Sequence, residues 1–161
     1  NKTAVAMEPL IAEIVQETRL IAPDHRIELG VNDSASVYAD AASLKEMLRI
    51  FIENSIKYTP SGGKISIESR RDNGQLVISV QDSGMGIPEE DQSKIFDRFY
   101  RVDQSRTKAT GGTGLGLSIA RWIAEQHEST INLMSKPGDG TTVMINIPLI
   151  MESHLHNGAG K

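Results

Sequence analysis

The sequence predicts a two-layer α+β sandwich in which a β-sheet carries three helices on one face. Three observations predict it. Apolar residues recur at helical spacing in three separate stretches, alternating stretches are joined by hairpin turns such as Asp72-Asn73-Gly74, and no repeated strand-helix-strand unit occurs. A chain of 161 residues is the size of one domain and buries a core without help from metal or disulfide. One domain is expected over 1–150, followed by a disordered polar tail over 151–161.

The elements follow in order. Met7, Leu10, Ile11, Ile14, Val15, Thr18 and Ile21 keep helical spacing until Ala22-Pro23-Asp24 ends the pattern. Arg26 to Val31 and Ser36 to Tyr38 alternate around Asn32-Asp33 and read as a strand pair. Asp40 is placed to cap a second helix whose apolar stripe is Leu44, Met47, Leu48, Phe51, Ile52 and Ile56, and Thr59-Pro60-Ser61-Gly62-Gly63 stops it. Lys64 to Arg71 and Gln75 to Gln81 flank the Asp72-Asn73-Gly74 turn as a hairpin. Ile95 to Arg101 is aromatic and charged, and the stretch onward to Thr113 has no periodicity and reads as a mobile loop. Leu115, Ile119 and Ile123 make a third helix between Gly114 and His127, with Trp122 expected to pack. Thr130 to Ser135 and Thr141 to Pro148 complete the sheet around Pro137-Gly138-Asp139-Gly140.

Composition excludes several chemistries. With no cysteine there is no disulfide framework, thiolate metal site or thiol nucleophile, and the four histidines are scattered without helical metal-ligand spacing. The net charge of −4 argues against a general nucleic-acid binder. Locally, however, Arg98, Arg101, Arg106 and Lys108 outnumber Asp97 and Asp103, so one basic loop could meet an anion. No apolar run has the length of a membrane span, so the chain as given is expected to be soluble and to make no membrane contact.

Three constellations carry chemistry. Asn54, Lys57 and Tyr58 share one face at the end of the second helix, where an amide oxygen, a cation and a ring could hold magnesium, a phosphate and a base or ribose. A solvated helix end has the same composition. Asp82-Ser83-Gly84-Met85-Gly86-Ile87-Pro88 puts a carboxylate at a strand end with glycines beyond it. That carboxylate could accept a proton from the exocyclic amine of adenine and repel the guanine carbonyl, although an ordinary Asp-Gly turn looks alike. Thr110 to Ser118 sits where the basic loop becomes the third helix, so backbone amides and the helix dipole face an anion there. Leu117 occupies the place of the lysine a P-loop needs, and no strand precedes the glycines as a dinucleotide fingerprint requires.

Taken in order, these segments resemble the catalytic domain of bacterial sensor histidine kinases, within the larger superfamily of gyrase and mismatch-repair ATPases. The resemblance covers Met7 to Leu149. Glu53 to Pro60 resembles the asparagine box, Asp82 to Pro88 the first glycine box, Ile95 to Val102 the phenylalanine box, Gly111 to Ala120 the second glycine box, and Gly138 to Thr142 a terminal glycine turn. It implies a mixed sheet with three main helices on one face, the Bergerat-type ATP-binding fold, with a flexible ATP lid and with ATP and Mg2+ as ligands. The implied roles are magnesium coordination by Asn54, phosphate contact by Lys57 and Arg101, and a nucleotide flank by Tyr58. Asp82 reads the adenine amine, with Gly84, Gly86 and Ile87 lining the pocket. The backbone of Gly112, Thr113, Gly114, Leu115 and Gly116 holds the phosphate tail, Arg98 and Tyr100 are further lid candidates, and Thr142 closes the set. Phe96 and Phe99 are expected to pack.

Departures from the family pattern shape the expected activity. Ile50 stands one helical turn before Asn54, where hydrolysing relatives carry a glutamate that activates water, so transfer is expected rather than hydrolysis. His127-Glu128-Ser129 stands where the family often has His-Gly-Gly, and His127 lacks the proline of a phosphoacceptor motif because Asn132 is at that place. His127 is therefore expected to be structural, and the phosphorylated histidine to lie in a separate dimerisation domain. The implied partners are that domain and a response regulator. The fragment is expected to be monomeric and cytoplasmic, in a parent anchored in the plasma membrane. The competing readings are a serine kinase or hydrolysing ATPase of the same fold, and a nucleotide-sensing or regulator-recruiting module without catalysis.

Overall fold

The computed structural model describes residues 1–86, 115–135 and 138–150, so the expected loop up to Thr113 and the tail over 151–161 lie outside the described residues. In chain order the elements are β1 (Thr3–Ala6), α1 (Met7–Ile21), β2 (Arg26–Asn32), β3 (Ser36–Ala39), α2 (Ala41–Lys57), β4 (Lys64–Asp72), β5 (Gln75–Asp82), α3 (Leu115–Gln126), β6 (Thr130–Ser135) and β7 (Thr141–Pro148). The main sheet has the order β2-β4-β5-β7-β6. β2 runs parallel to β4, while the β4/β5, β5/β7 and β6/β7 pairs are antiparallel, so the sheet is mixed. No helix among the described residues is long and apolar enough to cross a membrane.

Alternation decides which face is covered. Ile65 and Ile67 on β4, Leu76, Ile78 and Val80 on β5, and Val143, Ile145 and Ile147 on β7 are buried, while their neighbours in sequence face the open side. Ile11, Ile14 and Val15 of α1 and Leu44, Met47, Leu48 and Phe51 of α2 meet them in one core. Each fully buried aliphatic side chain adds about 1.5–3 kcal/mol relative to exposure. The β4/β5 connection turns on Asn73 (φ 50°) and Gly74 (φ 79°), two successive left-handed residues that match the right-handed twist of the strands.

β2 and β3 do not form the expected pair. β3 pairs instead with β1, with Val5 opposite Val37, in a separate two-stranded sheet. The segment between β2 and β3 is spent on anchoring rather than turning: Asn32 accepts from the Ser69 hydroxyl at 2.9 Å, Asp33 accepts from the Arg71 amide at 2.9 Å, and the Ala35 carbonyl accepts from the Met7 amide at 2.9 Å. β1 is too short to show a strand pattern. It exists because β3 offers an edge.

The packed face of α3 also differs from its expected stripe. Ala120, Ile123 and Ala124 are buried, whereas Ile119 is 46% and Trp122 60% exposed, so Trp122 does not pack as expected. α3 lies so close to α2 that a Cβ placed on Gly116 would stand 3.4 Å from Cγ2 of Ile50. Small residues therefore line the contact, and larger ones are turned outward.

His127 joins the two helices. It is buried, its Nδ1 donates to the Ile123 carbonyl (2.8 Å), and its Nε2 accepts from the Asp40 amide (3.1 Å). The same Asp40 caps α2 through its side chain, which accepts from the Ser43 amide at 3.2 Å. Both ring nitrogens are thus held by backbone, as a structural histidine requires. His127→Ala orphans two backbone groups and is expected to cost about 2–4 kcal/mol, read as a fall in melting temperature of roughly 5–12 °C.

Candidate functional site

The site forms where α2, the turn after β5, the start of α3 and the start of β7 converge. α2 ends because Tyr58 leaves helical geometry and Thr59-Pro60 follows. On that last turn Asn54 and Tyr58 are half-buried and Lys57 is exposed, so the predicted trio does share the helix end. The Asn54 amide nitrogen donates to the Ile50 carbonyl at 2.8 Å, which commits the nitrogen and leaves the amide oxygen as the atom able to ligate. A Cβ on Gly116 would stand 3.9 Å from that amide nitrogen, so the first turn of α3 lies beside Asn54. Ile50 is buried, with its side chain against Gly116.

Asp82 closes β5 and is 7% exposed. Its Oδ1 accepts two amide protons, from Gly84 at 2.9 Å and from Thr141 at 3.2 Å. Ser55, buried on α2, also acts on this carboxyl group and favours its ionised form. Burial pushes the carboxyl above its ordinary value, and the donors from Gly84, Ser55 and Thr141 work against that rise. An ionised carboxylate offers about four acceptor positions. The Gly84 and Thr141 amides fill two of them.

The turn beyond Asp82 is tied down on several sides. The Met85 amide donates to the Tyr58 carbonyl (3.3 Å), the Ser83 amide to the Lys64 carbonyl (3.1 Å), and the Gly138 amide to the Met85 carbonyl (2.6 Å). Gly84 is required there, because any Cβ would lie 2.4 Å from the Tyr58 carbonyl oxygen. Gly140, at φ +85°, approaches the Asp82 backbone so closely that a Cβ would lie 2.2 Å from its carbonyl oxygen. Gly86 is buried with φ 76°.

Asn54, Lys57, Tyr58, Asp82, Gly84, Gly86 and Gly116 thus fall in one neighbourhood. Thr142 does not face Asp82. It pairs with Gln81, on the open side of the sheet, and the residue opposite Asp82 is Thr141. Thr141 and Ser55 are the two site residues that sequence reasoning missed. The β5/β7 register could have revealed Thr141 by counting back from buried Val143 in steps of two, whereas Ser55 carries no signal on a helix except its spacing beside Asn54. Ile87, Tyr100, Arg101, Gly112, Thr113 and Gly114 lie outside the described residues, as do Phe96, Arg98 and Phe99, and of Leu115 only the backbone at the start of α3 is described.

Comparison with known proteins identifies this arrangement. The model of the histidine kinase-, DNA gyrase B- and HSP90-like ATPase family matches residues 39–151. The sensor-like histidine kinase SenX3 of Mycobacterium tuberculosis (strain ATCC 25618 / H37Rv) is 36% identical over 156 residues, covering 96% of this chain and 38% of that protein. The chain therefore spans well under half the length of that relative. Among solved structures, the catalytic domain of histidine kinase ThkA is 31% identical with a TM-score of 0.77, covering 92% of this chain and 95% of that one. Histidine kinase ThkA in complex with response regulator protein TrrA is also similar, at 27% identity and a TM-score of 0.77, covering 92% of this chain and 42% of that one. The chain belongs to the histidine kinase-, DNA gyrase B- and HSP90-like ATPase family, as a nucleotide-binding domain of the sensor histidine kinase type.

Proposed function

We propose that this chain is the catalytic domain that holds magnesium-ATP and passes its γ-phosphoryl group to a histidine on a separate dimerisation domain. One observation carries the adenine assignment: Asp82 is a buried carboxyl at the end of a strand, with Oδ1 held by two backbone amides and with Gly84 and Gly140 beside it pressed against backbone. The other carboxyl oxygen suits the exocyclic amine of adenine. It repels the carbonyl oxygen that guanine presents at the same place.

The phosphate end follows from α2 and α3. Asn54, with its amide oxygen uncommitted to the Ile50 bond, fits magnesium, a cation that takes oxygen ligands and keeps several waters. When bound, the ion would neutralise charge on the phosphates. Lys57 and Arg101 would contact the phosphates, Tyr58 would flank the nucleotide, and Tyr100 and Ile87 would line it. The amides of Gly112, Thr113, Gly114, Leu115 and Gly116 would add the positive end of the α3 dipole. An imidazole nitrogen of the separate domain would then attack the γ-phosphorus in line. The new N–P bond forms as the P–O bond to the ADP leaving group breaks, and the imidazole proton goes to solvent. Ile50 supports transfer over hydrolysis because it supplies no base for water. A response regulator as the next acceptor is supported by the ThkA complex, and anchoring of the parent in a membrane is an expectation from the family resemblance alone.

Calorimetric titration tests the pocket. Magnesium-ADP and a non-hydrolysable ATP analogue are expected to bind, the matching guanine nucleotides to bind about a hundredfold or more weakly, and Asp82→Asn to lose about ten- to hundredfold in adenine affinity. A folded chain that binds none of them overturns the assignment. Labelling of the dimerisation domain supplied in trans separates a kinase from a sensing module.

Asn54→Ala is expected to weaken magnesium-dependent ADP binding by about ten- to hundredfold while leaving affinity for adenosine unchanged. Equal losses for both ligands would show that Asn54 serves the base instead.

Asp82 also has a stability consequence. Its native proton affinity is raised by burial, so its contribution to stability is fully present below the unfolded carboxyl value of about 3.9 and is lost as pH rises through the higher native value. At pH 7 the buried charge costs stability, and Asp82→Asn is expected to raise the melting temperature of the ligand-free chain by a few degrees. The gain should vanish in scans at about pH 4.

A further inference from the structure

We propose that Thr59 is a positioning residue of the base pocket: its buried hydroxyl, turned toward Asp82 and Gly84, donates to a water that in turn serves the ring nitrogen next to the exocyclic amine of the purine. The proposal rests on the assignment of Asp82 to the base.

Thr59 follows the Tyr58 cap of α2 and is 4% exposed. Its hydroxyl oxygen is buried and has no hydrogen-bond partner among the described residues. The one other such side-chain atom there is Nδ1 of His25, and the two residues touch, since Nε2 of His25 donates to the Thr59 carbonyl at 2.7 Å. A buried hydroxyl left unpaired costs stability, and valine has the same shape without that cost. The threonine therefore calls for a partner that the described chain does not supply.

The direction of the hydroxyl says where that partner sits. A Cβ on Gly63 would stand 2.2 Å from the Thr59 methyl, whereas a Cβ on Gly84 would stand 3.0 Å from the Thr59 hydroxyl and 3.0 Å from Oδ1 of Asp82. The methyl is thus spent on the turn before β4, and the hydroxyl borders the same space as the carboxyl. The backbone on either side is pinned: the Thr59 amide donates to the Ile56 carbonyl (3.3 Å), and the Tyr58 carbonyl accepts from the Met85 amide (3.3 Å).

The chemistry of the base names the missing contact. An ionised Asp82 only accepts, which serves the exocyclic amine of adenine, but the ring nitrogen beside that amine is an acceptor and needs a donor. The Thr59 hydroxyl is a donor on the Asp82 side of the pocket. Because its oxygen is buried, the base meets it through a water, which accepts from the hydroxyl and has two hydrogens of its own to give.

The test uses Thr59→Val, which removes the hydroxyl and keeps the shape, and Thr59→Ser, which keeps the hydroxyl. Mg-ADP and Mg-1-deaza-ADP, in which carbon replaces that ring nitrogen, are titrated calorimetrically into the chain and both variants, and each ligand-free protein is melted. Thr59→Val is expected to raise the ligand-free melting temperature by about 2–6 °C and to weaken Mg-ADP about three- to tenfold. Thr59→Ser should hold Mg-ADP within about twofold of the unsubstituted chain. Mg-1-deaza-ADP should bind the chain and Thr59→Val equally, because the water then has no ring nitrogen to serve. Equal losses for both nucleotides overturn the proposal, since the effect would be on the shape of the pocket. A lower ligand-free melting temperature in Thr59→Val also overturns it, because the hydroxyl would then have its partner inside the protein. If the chain binds Mg-ADP and Thr59→Val binds it as tightly, the proposal falls and the reading of Asp82 stands. If the unsubstituted chain binds no Mg-ADP, that reading falls and the proposal falls with it.

Discussion

The carboxyl of Asp82 draws amide donors from two stretches of chain that are far apart in sequence, the turn after β5 and the first residue of β7, and Ser55 of α2 also favours its ionised form. Burying a charge without partners costs several kcal/mol, so these groups must arrive together for the carboxyl to stay ionised inside the protein. That requirement fixes the relative position of the helix layer, the strand end and the last hairpin. A shift of β7 by one residue would put Thr142 opposite Asp82 and turn Val143, Ile145 and Ile147 toward the open side. The register that satisfies the carboxylate is the register that buries the core.

Two close approaches make the convergence possible. The backbone of the turn lies against the Tyr58 carbonyl at Gly84, and the last hairpin lies against Asp82 at Gly140. Neither place has room for a Cβ. Glycine costs conformational entropy on folding, and the cost is concentrated at the two positions where main chain meets main chain. The same pattern recurs where α3 meets α2, since Gly116 lets the helix start come up beside Asn54. The turn after β5 and the start of α3 are brought into place by one device.

Much of this was legible in the sequence because the relevant signals are local. The three helices, the β4/β5 hairpin and the last two strands stand at the expected places, each marked by periodicity or by a turn residue with positive φ such as Asn73 and Gly74. The partnership of β2 and β3 was not legible. Pairing of short strands is settled by distant edges, and here Asn32 and Asp33 are drawn to Ser69 and Arg71 across the chain. Trp122 and Ile119 were misjudged for a related reason: the face of α3 is chosen by how near α2 comes, and small residues won the contact. Asn54, Lys57, Tyr58 and Asp82 could be named from residue type and spacing, whereas Thr141 needed the sheet register and Ser55 needed the tertiary contact.

A buried carboxylate kept ionised is a strained arrangement for a protein to carry, and its position explains why it is tolerated. An apolar isostere in place of Asp82 would relieve the desolvation that raises the carboxyl's proton affinity, but it would also leave the Gly84 and Thr141 amides without their acceptor. The stability lost at this point is offset nearby rather than far away. α2 carries Leu44, Met47, Leu48 and Phe51 into the core on one face while its last turn presents Ser55 to Asp82 and Asn54 toward α3. His127 and Asp40 then fasten the far ends of α3 and α2 to each other. The helix that meets the nucleotide site is thus held at both ends by hydrogen bonds and along its length by apolar contact. This rigidity holds Asn54 beside the start of α3 and the Tyr58 carbonyl against the turn that follows Asp82.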